Sequence, residues 1–153
     1  MIEPIRLSFE VRCPAEHAFA IWTERTSTWW PGSHTVSGAT GLEVHFEARV
    51  GGRIFERTSS GEEHDWGKIL AWEPPHRLAY LWHLKADPMD ATEVEIQFVE
   101  SGEATTRVEI EHRGWEKVRE DAEGRRDANR GGWGSLLPHF THEANQFTSE
   151  GHE

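Results

Sequence analysis

Along the first dozen residues Ile5, Leu7, Phe9 and Val11 alternate with Arg6, Ser8, Glu10 and Arg12. A period of two places one set in a core and the other in water, so a strand is predicted. The alternation returns at Leu42, Val44, Phe46 and Ala48, at Val94, Ile96 and Phe98, and at Val108, Ile110 and His112. Arg53 to Thr58 reads as another strand after the tight turn Val50-Gly51-Gly52. Between these lies Trp66 to Trp82, WGKILAWEPPHRLAYLW, two apolar runs joined by Glu73-Pro74-Pro75-His76. Proline brings no N–H to a ladder, so the Pro-Pro corner turns the chain and the flanking runs pair as antiparallel strands.

Helical spacing appears at the two ends of the pattern. Ala15, Ala18, Phe19 and Trp22 recur behind Pro14 and Glu16, both suited to a first helical turn, and a second short segment spans Thr26 to Trp30 before Pro31-Gly32. From Trp133 onward, Leu136, Leu137, Phe140, Ala144 and Phe147 predict a long amphipathic helix, with a kink expected at Pro138. Residues 31–41 and 85–91 read as polar loops, and 148–153 as a polar tail. Gly114 to Arg130 is highly charged apart from Trp115 and Val118, and is expected on the surface. Strands in hairpin succession with helices segregated to one face make an α+β fold: six to seven curved antiparallel strands around a C-terminal helix, leaving space for a cavity between them.

Composition narrows the choice of partners. The 153 residues suit one domain, 1–153. A formal net charge of -11 disfavours nucleic acid and anionic membrane surfaces. One cysteine, Cys13, and the lack of a signal-like or membrane-length apolar run predict a cytoplasmic protein. The eight tryptophans suggest a wide apolar sheet face. A homodimer stays open.

The order of elements carries a resemblance. Gly67-Lys68-Ile69, Pro74 to Leu78 with Trp82, Thr92 to Ile96, Thr106 to His112, Gly114-Trp115 and Gly132-Trp133 through Leu137 resemble the AHSA1-like branch of the START/Bet v 1-like (SRPBCC) superfamily. That resemblance implies a helix-grip fold with an internal ligand cavity. The branch takes its name from an activator of the Hsp90 ATPase, and it includes lipid carriers and polyketide cyclases. The activator's separate N-terminal domain has no counterpart in this sequence, which argues against a chaperone partner.

The rings Trp29, Trp30, Phe46, Phe55, Tyr80, Trp82, Phe98 and Trp133 are candidate walls for a small apolar or aromatic ligand, against the plainer reading of core packing. His112 falls in phase with Val108 and Ile110 and points inward, where with Tyr80 it offers acid/base groups for a cyclase- or hydrolase-type enzyme. The competing reading is a satisfied core histidine. His139, His142 and Glu143 share a helix face without a third spacing that closes a metal site, so no metal is expected. Gly131 to Ser135 opens the predicted last helix but lacks the lysine and spacing of a phosphate loop, so no cofactor is expected either. No nucleophile motif accompanies Cys13 or any serine. Ligand binding without catalysis is the expectation that follows.

Overall fold

The computed structural model describes residues 2–84 and 86–146. Seven antiparallel strands form one sheet in the order β1-β7-β6-β5-β4-β3-β2. The strands are β1 Ile5–Val11, β2 Glu43–Phe46, β3 Arg53–Arg57, β4 Glu63–Glu73, β5 Arg77–Trp82, β6 Thr92–Gly102 and β7 Thr105–Arg113. The helices are α1 Ala15–Glu24, α2 Thr26–Trp29 and α3 Ala122–Ala144. From β2 to β7 every pairing is between neighbours in sequence. The exception is β1, which pairs β7 with Ile5 opposite His112 and Val11 opposite Thr106.

Alternation sets the two faces of the sheet. Leu78 and Tyr80, Val94, Ile96 and Phe98, and Val108, Ile110 and His112 are all buried on the side that meets α1 and α3. The opposite face of β5, β6 and β7 is water-facing: Arg113 reaches Glu95 at 3.0 Å and Glu93 at 3.2 Å, and Arg77 joins Glu95 to Glu73. The Arg77 guanidinium beside it holds the Glu95 carboxyl below its ordinary value. Gly67 stands at an irregular stretch of the sheet, where any Cβ would collide with the Leu81 carbonyl oxygen. A glycine is therefore required there.

The helix-grip expectation holds, with local differences. The strand predicted from Leu42 to Ala48 is shortened to Glu43–Phe46, and β4 begins ahead of Trp66. α3 starts at Ala122 instead of Trp133, because the Asp121 carboxylate accepts the Gly124 N–H at 3.2 Å and caps a first turn that has no apolar stripe. The glycines at 131, 132 and 134 thus lie inside the helix, with no role as its start. Trp115 and Val118 are buried, not surface residues, and the Trp115 indole donates to the His112 carbonyl at 3.0 Å. The polar tail and Phe147 lie outside the described residues.

α3 runs alongside β1 and holds it at both ends. Arg126 donates to the Glu3 and Pro4 carbonyls at 2.6 and 3.3 Å, and the Arg12 N–H donates to the Asn145 side chain at 2.7 Å. The buried face of α3, formed by Trp133, Leu136, Phe140 and Ala144, lies over the sheet.

Candidate functional site

The space between sheet and α3 is largely taken up by rings. Trp22 of α1 lies 4.9 Å from Phe140 and 5.1 Å from Trp29, with Trp133 at 6.2 Å. Trp30 packs at 5.0 Å on Trp66 and 5.8 Å from Trp82, and Tyr80 lies 5.5 Å from Trp82. Phe19 meets Phe98 at 5.4 Å. Tilted and edge-on contacts of this kind suit the ring quadrupole and fill the interior. A pocket of about 60 Å³ remains where α3, β5 and the loop after α2 converge; Trp30, Trp82, Trp133, Leu84, Leu136 and His34 are among its lining. Two wider depressions lie over Glu95 and Glu109 on the outer face and beside Leu137 between β1 and α3, the second of them open broadly to solvent.

The loop 31–41 contributes His34 to this pocket and is fastened by a buried carboxylate. Glu56 points inward from β3, in phase with Ile54, and is fully buried. Its oxygens accept the Val36 N–H at 2.7 Å, the Ser37 N–H at 2.8 Å and the Trp66 indole N–H at 2.7 Å. Burial alone pushes the carboxyl up, but the donors at Ser37, Val36 and Trp66 outweigh it and hold Glu56 below its ordinary value. Among the described residues no basic side chain pairs with Glu56. The Trp30 indole donates to the His34 carbonyl at 2.8 Å, and the His34 ring lies over Gly132 of α3.

His112 points inward as its phase predicts, with no exposure to solvent. The Trp133 indole can only donate, so its 3.1 Å bond makes Nδ1 of His112 the acceptor. Nε2 then carries the proton and donates to Thr92 Oγ1 at 2.7 Å. Both ring nitrogens are engaged, and burial pushes the imidazole down to about 3. Tyr80 is likewise buried, its phenol pushed well above the ordinary range by burial and only partly offset by the Trp22 indole nearby. Nε1 of Trp22 is buried without a hydrogen-bond partner among the described residues. As placed, neither His112 nor Tyr80 presents a proton-transfer group to solvent.

Of the rings singled out in the sequence, Trp30, Trp82 and Trp133 meet at the pocket. Trp29, Tyr80 and Phe98 stand behind them in the core, and half-buried Phe46 packs edge-on against Tyr80 at 6.0 Å. Phe55 is no wall of this space. Strand phase puts it on the outer face, stacked on His45 at 5.1 Å with the Arg53 guanidinium 4.0 Å from its ring. His83 faces a surface cleft with His64 and Asp65. Glu56, Trp66 and His34 were missed as site residues; for Glu56 the signal was a carboxylate in phase with Ile54 on a short strand.

Other chemistry finds little footing. Among the described residues no group of three or more His, Cys, Asp or Glu is placed to hold a metal ion. Glu143, the carboxylate grouped with His139 and His142 in the sequence, pairs with Arg25 at 3.4 Å. Burial pushes the Cys13 thiol up to about 12, so it remains protonated. No helix among the described residues is long and apolar enough to cross a membrane.

A curved antiparallel sheet gripping a C-terminal helix, with an indole-walled recess between them, defines the helix-grip class. Within that class the chain belongs to the family described as activator of Hsp90 ATPase homolog 1-like proteins, whose model matches residues 12–144. An anthrahydroquino-γ-pyrone synthase, Txn09, is 39% identical over 80% of this chain and 84% of its own, with a TM-score of 0.58. CalC, a self-sacrificing resistance protein from Micromonospora echinospora, is 27% identical over 97% of both chains, with a TM-score of 0.73. An Hsp90 activator from Plasmodium falciparum, PFC0360w, is 17% identical over 90% of this chain and 92% of its own, with a TM-score of 0.64, and shares the fold. No match is found among curated protein sequences.

Proposed function

We propose that the protein binds a small apolar or aromatic molecule in the recess between the sheet, α3 and the loop 31–41, without covalent chemistry of its own. The observation that carries this reading is the convergence of Trp30, Trp82 and Trp133 on one pocket that a fastened loop borders through His34. The pocket of about 60 Å³ takes a group of a few heavy atoms as it stands, and a larger ligand requires the loop and Trp30 to move. The likeness to Txn09, a synthase named for a fused-ring pyrone, supports a ring-bearing ligand. Titration with indole, 2-naphthol and 9,10-anthraquinone, followed by tryptophan emission, is expected to show saturable quenching that Trp82→Leu removes. No saturable response to any of them would overturn the reading.

The synthase relative also favours a second reading, a cyclase-type enzyme. His112 and Tyr80 lie behind the ring layer with no water-facing proton, so catalysis would fall to another group. His34, at the pocket, is the titratable side chain placed for it. A product-forming reaction abolished by His34→Ala, with ligand affinity kept, would decide for the enzyme. For a chaperone-associated role, the exposed large apolar residues Val36, Val50, Leu70 and Met89 are spread over four segments of the chain, which gives that role no support.

A further inference from the structure

The recess is lined by three indoles, Trp30, Trp82 and Trp133, each packed against other rings. Trp30 lies on Trp66 at 5.0 Å and a 39° tilt, and Trp133 faces Trp22 at 6.2 Å and 31°. Trp30 also meets Trp29 at 5.4 Å, and both Trp30 and Trp133 contribute to the pocket lining. Trp82 supplies a third indole, 5.8 Å from Trp30. Among the described residues no lysine or arginine lines the pocket, and the polar side chains there are His34 and Asn129. Indole faces carry the negative part of the ring quadrupole, and tryptophan is the best of the aromatic residues at holding a cation.

A second observation concerns the charge behind this wall. The Trp66 indole that backs Trp30 donates its N–H to Glu56, a fully buried carboxylate that has no basic partner among the described residues. The Ser37 side chain and the N–H donors of Val36, Ser37 and Trp66 favour its ionised form, but they carry no full positive charge to balance it. A fixed negative charge in a poorly solvated place is felt further than one in water, and this one stands two indoles behind the pocket, beyond Trp66 and then Trp30. The formal net charge of -11 adds attraction of the same sign at longer range.

From the three indoles and the buried carboxylate behind them, we propose that the recess is a site for an alkylammonium group, methylated or quaternary, on an otherwise apolar molecule. The inference rests on the binding function proposed above and names the chemical class of the group that enters first. The pocket of about 60 Å³ receives part of such a group, its remaining substituents pointing to solvent or displacing Trp30.

The test compares choline with 3,3-dimethylbutan-1-ol, a neutral molecule of nearly the same shape, at matched ionic strength and read by tryptophan emission. Saturable quenching by choline, with the neutral isostere at least tenfold weaker, is the expected result. Glu56→Gln removes the charge and keeps an acceptor, and should weaken choline severalfold more than it weakens the isostere, whose own change reports any loosening of the loop. Trp30→Phe should weaken choline severalfold, since benzene is the poorer cation acceptor. Equal binding of the two molecules overturns the cation assignment and leaves the apolar pocket standing. A response to the aromatic panel but to neither of these overturns it too, whereas silence toward all probes removes the binding function itself. Should Glu56→Gln fail to fold, the choline–isostere comparison on the wild-type chain decides alone.

Discussion

His112 is an ionisable side chain that the fold holds neutral, and this has a consequence for pH. Burial pushes its folded value down to about 3, against an ordinary value of 6.5 in the open chain. Between those values the unfolded chain binds a proton that the folded one refuses, so stability falls as pH drops below about 6.5. The slope approaches about 1.4 kcal/mol per pH unit at its steepest. Urea unfolding at pH 7.5, 6 and 5 should show this loss, and His112→Gln should flatten it while lowering stability at pH 7.5 by about 2 kcal/mol through the bonds to Trp133 and Thr92. Glu56 acts lower on the scale. Its depressed value means its contribution is present above the ordinary 4.5 and is lost as pH falls through the folded value. The direction of His112 was legible from strand phase alone. Its partners were not, because Trp133 and Thr92 lie far from it in sequence, and the same distance hid the link from Glu56 to Val36 and Ser37.

At the level of elements, α3 gives the sharpest comparison. Its second half follows the apolar spacing of Trp133, Leu136 and Phe140, which the sequence shows plainly. The first half is polar and holds three glycines, so period and propensity both argued against helix there, yet the Asp121 cap and continuity with the packed half prevail. Exposed Gly131 and Gly134 have open space where a Cβ would go. Gly131→Ala and Gly134→Ala should each raise stability by about 0.5–1 kcal/mol in thermal unfolding, an effect expected at Gly131 only if the helix already runs through it. Gly67→Ala should do the reverse, costing about 3 kcal/mol through its clash with the Leu81 carbonyl. The loop 31–41 is an element of another sort, its backbone held by a side chain from β3. Glu56→Ala should speed hydrogen exchange at the Val36 and Ser37 amides well before the amides of β6 and β7 respond.

For the molecule as a whole, the architecture was the most legible property, since strand phase, the Pro-Pro corner and the two helical ends each restrict the fold independently. The cavity was less so. Ring count alone does not say whether tryptophans line a space or fill it, and here they mostly fill it. The topology also bears on kinetics. β1 must find β7 across about two-thirds of the chain, from Ile5 to His112, which places the main closure among non-local pairings. Stopped-flow refolding by tryptophan emission should therefore run in milliseconds to seconds and not in microseconds.

An open seven-stranded sheet leaves two rims, and on each a neighbouring molecule meets unpaired backbone. One rim is β2, only four residues long, too short to template much. The other is β1, where Arg126 occupies carbonyls at one end and Asn145 the amide at the other. The gripping helix thus doubles as a guard against strand-to-strand aggregation. Removing both clasps with Arg126→Ala and Asn145→Ala should raise thioflavin-positive assembly on prolonged incubation, while the isolated folded molecule keeps its circular dichroism.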